Sequence, residues 1–204
     1  MTAGAGRFIV VEGGEGVGKS TQVPRLAAAL RSSGREVVVT YEPGDTKLGA
    51  ELRAVLLHAD SALDARAELL LMIADRAQHL AEVVVPALAR GALVVCDRYE
   101  PSTLAYQGVA RGLGVEHVER VSEWATAGVE PDIVVVLDLP DEIAEARVSP
   151  DRDRFERAGA EFHARVRAAY RELAVTRGWA LVDADGTPDE VAARVLDAVA
   201  GVLP

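Results

Sequence analysis

The octapeptide Gly13-Gly14-Glu15-Gly16-Val17-Gly18-Lys19-Ser20 constrains this chain more than any other stretch. It matches G-x-x-x-x-G-K-[ST] without mismatch, a pattern whose glycines let the backbone curl its N–H groups around a polyphosphate. The pattern carries meaning only between a strand and a helix, and both flanks are present. Phe8-Ile9-Val10-Val11 is an apolar, β-branched run that reads as a buried strand, and Thr21 to Leu30 places apolar residues at helical spacing. A helix N-terminus favours anions, Lys19 has the reach for β- and γ-phosphates, and the Ser20 hydroxyl suits Mg²⁺. Residues 13–21, ending at Thr21, are therefore expected to hold a nucleoside triphosphate.

With 204 residues, half of them hydrophobic, the chain is long enough for one α/β domain, 1–204, with a sizeable core. A formal net charge of −10 argues against general binding of nucleic acid or acidic membranes. An acidic chain that handles phosphates must gather its arginines locally. The one cysteine, Cys96, lies inside an apolar run and reads as a small buried hydrophobe. Neither an apolar leader nor a membrane-spanning run is apparent, so a soluble, cytoplasmic protein is expected.

Strand-like runs fall at about 8–12, 36–40, 92–97, 132–138 and 179–183. Helical patterns fall at about 19–33, 47–57, 64–89, 101–111, 115–127, 140–147, 158–177 and 188–202. Such alternation predicts a five-stranded parallel sheet flanked by helices, with ligands beyond the carboxyl ends of the strands. The rule selects Glu12 onward, Glu42-Pro43-Gly44, Asp97-Arg98 and Asp138. The helix expected at 64–89 is apolar on more than one side; its second face is covered either by the monomer's own core or by a partner subunit.

A phosphate loop alone does not choose an activity. The chain contains no Asn-Lys-x-Asp to read guanine, and its third strand ends in Asp97-Arg98 rather than the paired carboxylates with which ATPases polarise water. Asp97 can contact Mg²⁺ or its water shell, and Arg98 can clamp an acceptor phosphate bidentately. The local basic concentration appears at Arg147, Arg152, Arg154 and Arg157. Arginines on a closing loop neutralise charge on a transferred phosphoryl group and exclude water.

Several blocks together resemble the thymidylate kinase (dTMP kinase) family. They are residues 8–22, Glu42-Pro43-Gly44, Asp75-Arg76-Ala77-Gln78-His79, residues 97–108 (Asp97-Arg98-Tyr99 through Ala105-Tyr106-Gln107-Gly108), and Asp153-Arg154-Phe155-Glu156. The resemblance covers nearly the whole chain and implies the nucleoside monophosphate kinase type of P-loop NTPase fold, with a short lid at about 146–157. It implies transfer of the ATP γ-phosphoryl group to dTMP, with Mg²⁺, in a homodimer packed through the helix at 64–89. It also implies roles. Glu12 contacts the deoxyribose 3′-OH, Arg98 the dTMP phosphate, and Arg76, Thr103 and Gln107 the base side. Tyr106 disfavours a ribose 2′-OH by bulk, and Glu42 and Arg53 complete the substrate set. Glu15 within the loop resembles the bacterial subtype whose catalytic arginine comes from the lid, which makes Arg152 and Arg154 the expected stabilisers of the transferring group beside Lys19 and Arg98.

Three positions depart from the family pattern. Met72 stands where a phenylalanine usually stacks on thymine, so a weaker grip on the base is expected. Tyr41 replaces the usual arginine before Glu42-Pro43-Gly44, and Asp45 the glycine after it. The lid around Val148-Ser149-Pro150 is short, lacks glycines and carries a proline. The alternatives are a kinase for another deoxynucleoside monophosphate such as dUMP, or a nucleotide-binding regulatory protein with a decayed active site. The segment 183–186 is expected to wall the adenine.

Overall fold

A computed structural model of the chain describes residues 6–58, 63–147 and 154–203. Its centre is a parallel sheet of β1 (Arg7–Glu12), β2 (Val37–Tyr41), β3 (Leu93–Asp97), β4 (Ile133–Asp138) and β5 (Ala180–Asp183), in the order β2-β3-β1-β4-β5. Each strand begins and ends within about a residue of the span its apolar run predicted. Alternate residues face opposite sides, so both faces need cover. Phe8, Val10, Val94 and Val136 enter one core, while Ile9, Val11, Val95 and Leu137 enter the other.

Helices α1 (Lys19–Arg31), α7 (Asp141–Ala146) and α9 (Pro188–Val199) contribute to the second core through Val23, Leu26, Ala144, Val191 and Val195. The first core is covered by α3 (Ala65–His79), α4 (Val85–Ala89), the stretch Leu104–Ala110 that follows α5 (Glu100–Thr103), α6 (Val115–Thr126) and α8 (Ala160–Arg177); α2 (Lys47–His58) packs on α3. Helix termini follow from local chemistry. Asp64 accepts from the Arg66 N–H at 3.0 Å to start α3, Thr187 and Glu190 form a capping box at α9, and Gly178 closes α8 in the left-handed region.

Two expected helices are interrupted. The stretch at 64–89 is α3 and α4 joined by a π-turn over Leu80–Val84, just ahead of Pro86, which has no N–H for the ordinary ladder. The stretch at 101–111 is α5 continued by π-turns over Leu104–Ala110. Periodicity alone does not separate these from uninterrupted helix, because one extra residue per turn shifts the apolar stripe only gradually.

Central strand β1 pairs with β3 through Val11 and Asp97. Its neighbours in the sheet leave the chain going opposite ways, so the loop after it opens into the crevice where open α/β sheets bind ligands.

Candidate active site

That crevice is a cavity of about 840 Å³. One wall is the loop between β1 and α1, contributing Glu15, Gly16, Gly18, Lys19, Ser20 and Thr21. A Cβ on Gly13 would lie 2.6 Å from the Leu137 carbonyl oxygen, and one on Gly16 would lie 2.1 Å from that of Ala144. Glycine is therefore required for the loop to seat against β4 and α7. Gly13, Gly14 and Val17 do not line the cavity. Gly13 and Gly14 accept the Lys19 ammonium through their carbonyls at 2.9 and 2.7 Å, which leaves it one further N–H. Burial, and after it the Arg98 charge, holds the Lys19 pKa below the usual lysine range.

At the end of β3 the chain turns sharply. Arg98 has φ 70°, a left-handed conformation unusual outside glycine, fixed by its N–H on the Val11 carbonyl at 3.0 Å. The turn throws the guanidinium back over the loop. It donates to Glu15 Oε1 at 2.5 Å, Ser102 Oγ at 3.1 Å, the Gly13 carbonyl at 3.3 Å and the Tyr106 hydroxyl at 3.3 Å, and stacks over the Tyr106 ring at 5.2 Å. Tyr106 also donates to Glu15 at 3.0 Å. Burial would raise the Glu15 pKa, but Arg98, Lys19 and this hydroxyl together outweigh it and bring the group to about 2. Glu15 is thus an ionised carboxylate at the cavity wall.

Glu12 occupies a different place from the one expected. It is fully buried and does not line the cavity. Oε1 accepts the Tyr99 and Ser102 N–H groups at 2.8 and 3.1 Å; Oε2 accepts the Ser102 and Tyr170 hydroxyls at 2.7 Å each. Burial raises its pKa, against the pull of Arg98 and of these donors, and the carboxyl group holds the turn at the start of α5 that aims Arg98. The loop carboxylate that meets the cavity is Glu15.

Asp97 and Ser20 both line the cavity, and Asp97 Oδ1 is buried without a hydrogen-bond partner among the described residues. Among the described residues no group of three or more His, Cys, Asp or Glu could hold a metal. Mg²⁺ does not require one, since it keeps several waters and substrate phosphates beside one or two protein oxygens. An orphaned carboxylate oxygen and a hydroxyl therefore fit it.

The opposite wall belongs to α3 and α5. Met72, Asp75 and Arg76 line it, spaced so that a helix presents them on one face. Arg76 donates Nε to Glu42 Oε2 at 2.9 Å and Nη2 to Thr103 Oγ1 at 2.9 Å, and lies 5.0 Å over the Tyr99 ring; its Nη1 is buried without a partner among the described residues. Thr103, Gln107, Glu42 and Arg53 line the same end. Gln107 Nε2 is engaged with Glu68 at 2.7 Å, and Arg53 stacks over Tyr41 at 5.6 Å while donating to the Pro43 carbonyl at 2.6 Å. Asp75 accepts the Gly44 N–H at 3.0 Å. Burial, then the Glu42 charge, pushes its pKa up to about 6.

The lid differs from expectation too. Arg152 and residues 148–153 lie outside the described residues. Arg154 does not line the cavity: Nη1 meets Glu68 Oε2 at 2.6 Å, Nε donates to the Leu56 carbonyl at 2.7 Å, and the guanidinium covers the Phe155 ring at 4.5 Å. It ties the lid base to α2 and α3 rather than facing the phosphate loop. Arg147, at the end of α7, lines the cavity instead.

Neither Glu68, which gathers Gln107, Arg111 and Arg154, nor Tyr170 and His79 stood out as individual residues. Glu68 and Tyr170 lie in helical patterns where nothing marks one polar residue as a hub. The spacing of His79 from Arg76 is a signal that was present. Asp138 is a structural ion-pair partner of Arg171 at 2.8 Å, residues 183–186 do not border this cavity, and the Cys96 thiol is buried and bonded to the Arg98 carbonyl.

A phosphate loop, Arg98, Asp97 and the polar residues Arg76, Thr103 and Gln107 thus line one cavity. Residues 11–195 match the family model described as thymidylate kinase. A thymidylate kinase of a Synechococcus strain is 48% identical over 199 residues, covering 97% of this chain and 96% of its own. One from Solidesulfovibrio magneticus is 49% identical over 208 residues, covering 96% and 100%. One from Leifsonia xyli is 49% identical over 194 residues, covering 93% and 92%. The chain belongs to the thymidylate kinase family.

Proposed function

We propose that the chain transfers the γ-phosphoryl group of ATP to dTMP, giving ADP and dTDP. The observation that carries this reading is the single cavity with a phosphate loop at one end and the Met72–Arg76–Thr103–Gln107 pocket at the other. The acceptor phosphate is already anionic at neutral pH, so no strong general base is needed. Catalysis is then positioning and charge neutralisation.

In this scheme residues 13–21 cradle the triphosphate and Lys19 offers its remaining N–H to the bridging region. Arg98 clamps the acceptor phosphate, with Glu15 fixing its guanidinium. Arg76 offers the unpartnered Nη1 to a carbonyl of the base, Met72 packs on the base face, and the Tyr106 ring closes the sugar side. Asp97 and Ser20 would hold Mg²⁺, which when bound supplies charge compensation between the β- and γ-phosphates. Arg147 is the described lid residue best placed to face the transferred group.

A second copy of the chain is proposed to dock on the stretch 64–89, where Ala67, Leu70 and Ala74 of α3, Ala81 of the π-turn and Val85 of α4 are exposed, Leu70 to 60%. No described helix is long and apolar enough to cross a membrane, and the use of ATP supports a cytoplasmic activity as part of this proposal.

The test is ADP release with ATP and each of dTMP, dUMP, dCMP and dAMP. Release with dTMP well above the others is expected, and Lys19→Ala should lower its rate at least about a thousandfold. ATP binding without dTMP-dependent ADP release, or substantial turnover by Lys19→Ala, would overturn the assignment.

A further inference from the structure

His79 has no part in the scheme above, yet it is fully buried at the centre of a polar chain that ends on the base pocket. Arg76 Nε is bonded to Glu42 Oε2 at 2.9 Å, and the other oxygen of the same carboxylate, Oε1, meets His79 Nδ1 at 2.7 Å. On the far side of the ring Nε2 meets Thr40 Oγ1 at 2.6 Å, and Thr40 Oγ1 lies 2.5 Å from Asp45 Oδ2. Helical spacing puts Arg76 and His79 on one face of α3, and β2 runs directly into the turn carrying Glu42 and Asp45.

The three contacts along this chain take three protons, one more than a neutral ring and the Thr40 hydroxyl carry together. Thr40 donates its one proton to Asp45. The Thr40 oxygen is then the acceptor for the ring, which requires a proton on Nε2. A Glu42 carboxylate shared with Arg76 also only accepts, which requires a proton on Nδ1. On this count both ring nitrogens are donors. The groups facing the ring are Thr40, Glu42 and Asp45 from β2 and its turn, and Asp75 and Arg76 from its own helix; Cys96 on β3 is neutral because burial pushes its thiol up. Two cations, Arg76 and His79, thus face the carboxyl groups of Glu42 and Asp45, with Asp75 a third carboxylate above about pH 6. A buried charge is tolerated only with such pairing.

We infer that His79 is held as an imidazolium and acts as the positioning residue that locks Glu42, and through it the base-reading Arg76. Each Glu42 oxygen is assigned to one cation, so the carboxylate cannot rotate without losing a charge-assisted bond. A neutral ring would present a lone pair to Glu42 or to Thr40 and release that lock. The inference rests on the reading of Arg76 as the base-side group.

The test has two independent readouts. In protein labelled with ¹⁵N-histidine, which has four histidines, the His79 resonances are assigned by their loss in His79→Gln. Both ring nitrogens are expected to show the protonated signature at neutral pH; one unprotonated nitrogen overturns the inference. This measurement stands even if dTMP proves not to be the acceptor. In kinetics, His79→Gln should raise the dTMP KM about tenfold, the loss typical of one hydrogen bond to a charged group, with kcat and the ATP KM changed by less than about twofold. In an Arg76→Ala background the same substitution should have no further effect on the dTMP KM; additive effects would show that His79 does not act through Arg76. Should His79→Gln fail to fold, the wild-type spectrum, assigned through the remaining histidines by elimination, still decides.

Discussion

Asp75 is a buried carboxyl with one oxygen on the Gly44 N–H and the other without a partner among the described residues. Burial and the neighbouring Glu42 raise its pKa from the ordinary 3.8 to about 6, against the opposing pull of His79 and Arg76. Between these values the folded chain keeps a proton that the unfolded chain releases, so stability falls as pH rises through this window. The contribution is full below about pH 4, lost progressively up to about pH 6, and flat above it. At about 1.4 kcal/mol per tenfold change in proton affinity, the rise corresponds to about 3 kcal/mol. Asp75→Asn preserves an acceptor for Gly44 and cannot ionise. Urea denaturation of both proteins from about pH 4 to pH 8 should show the variant gaining about 3 kcal/mol on the wild type between the ends of the series. The added amide contributes only a constant offset, so the slope is the readout. A stability difference independent of pH, or one shrinking as pH rises, would refute the assignment of a raised pKa to this carboxyl.

Three further outcomes are expected. Met72→Phe should lower the dTMP KM about fivefold, from about 1 kcal/mol of aromatic stacking, and an unchanged or higher KM would show that Met72 does not face the base. Arg147→Ala should reduce kcat at least about a hundredfold with stability retained, whereas Arg154→Ala should chiefly cost about 2 kcal/mol in denaturant melts by stripping a partner from buried Glu68; the reverse pattern would return the phosphoryl-facing role to Arg154. Leu70→Glu on the exposed α3 stripe should convert a dimer to monomers in light scattering, and a dimer that survives would remove this face as the interface.

Much of the architecture was legible in the sequence because it rests on local, periodic signals. Val- and Leu-rich runs of strand length, alternating with helical stretches, leave a parallel sheet covered on both faces as the economical solution. The phosphate loop was legible for a different reason: its glycines answer steric demands, seen here at Gly13 and Gly16, that no other residue meets. The π-turns over Leu80–Val84 and Leu104–Ala110 were not, because they change the helical phase without changing the residue types.

The site divides along the same line. Residue types and strand ends singled out Lys19, Ser20, Asp97 and Arg98, and the family resemblance added Arg76, Thr103, Tyr106 and Gln107; all eight line one cavity. Which way a side chain turns was not contained in them. Glu12 and Glu15 are both acidic and three residues apart, yet Glu12 is used by four donors beneath α5 while Glu15 meets Arg98 at the cavity wall. Arg147 and Arg154 belong to one basic cluster, and only the packing of Glu68 and the Leu56 carbonyl draws Arg154 away. The sheet, the phosphate loop and the residue types of the site follow from the amino-acid order alone, because strand and helix periods and glycine sterics are local. Which of several like-charged side chains face the cavity, and what holds them there, follows only from packing, because those choices depend on partners more than thirty residues away in the chain, such as Glu42 for Arg76 and Glu68 for Arg154.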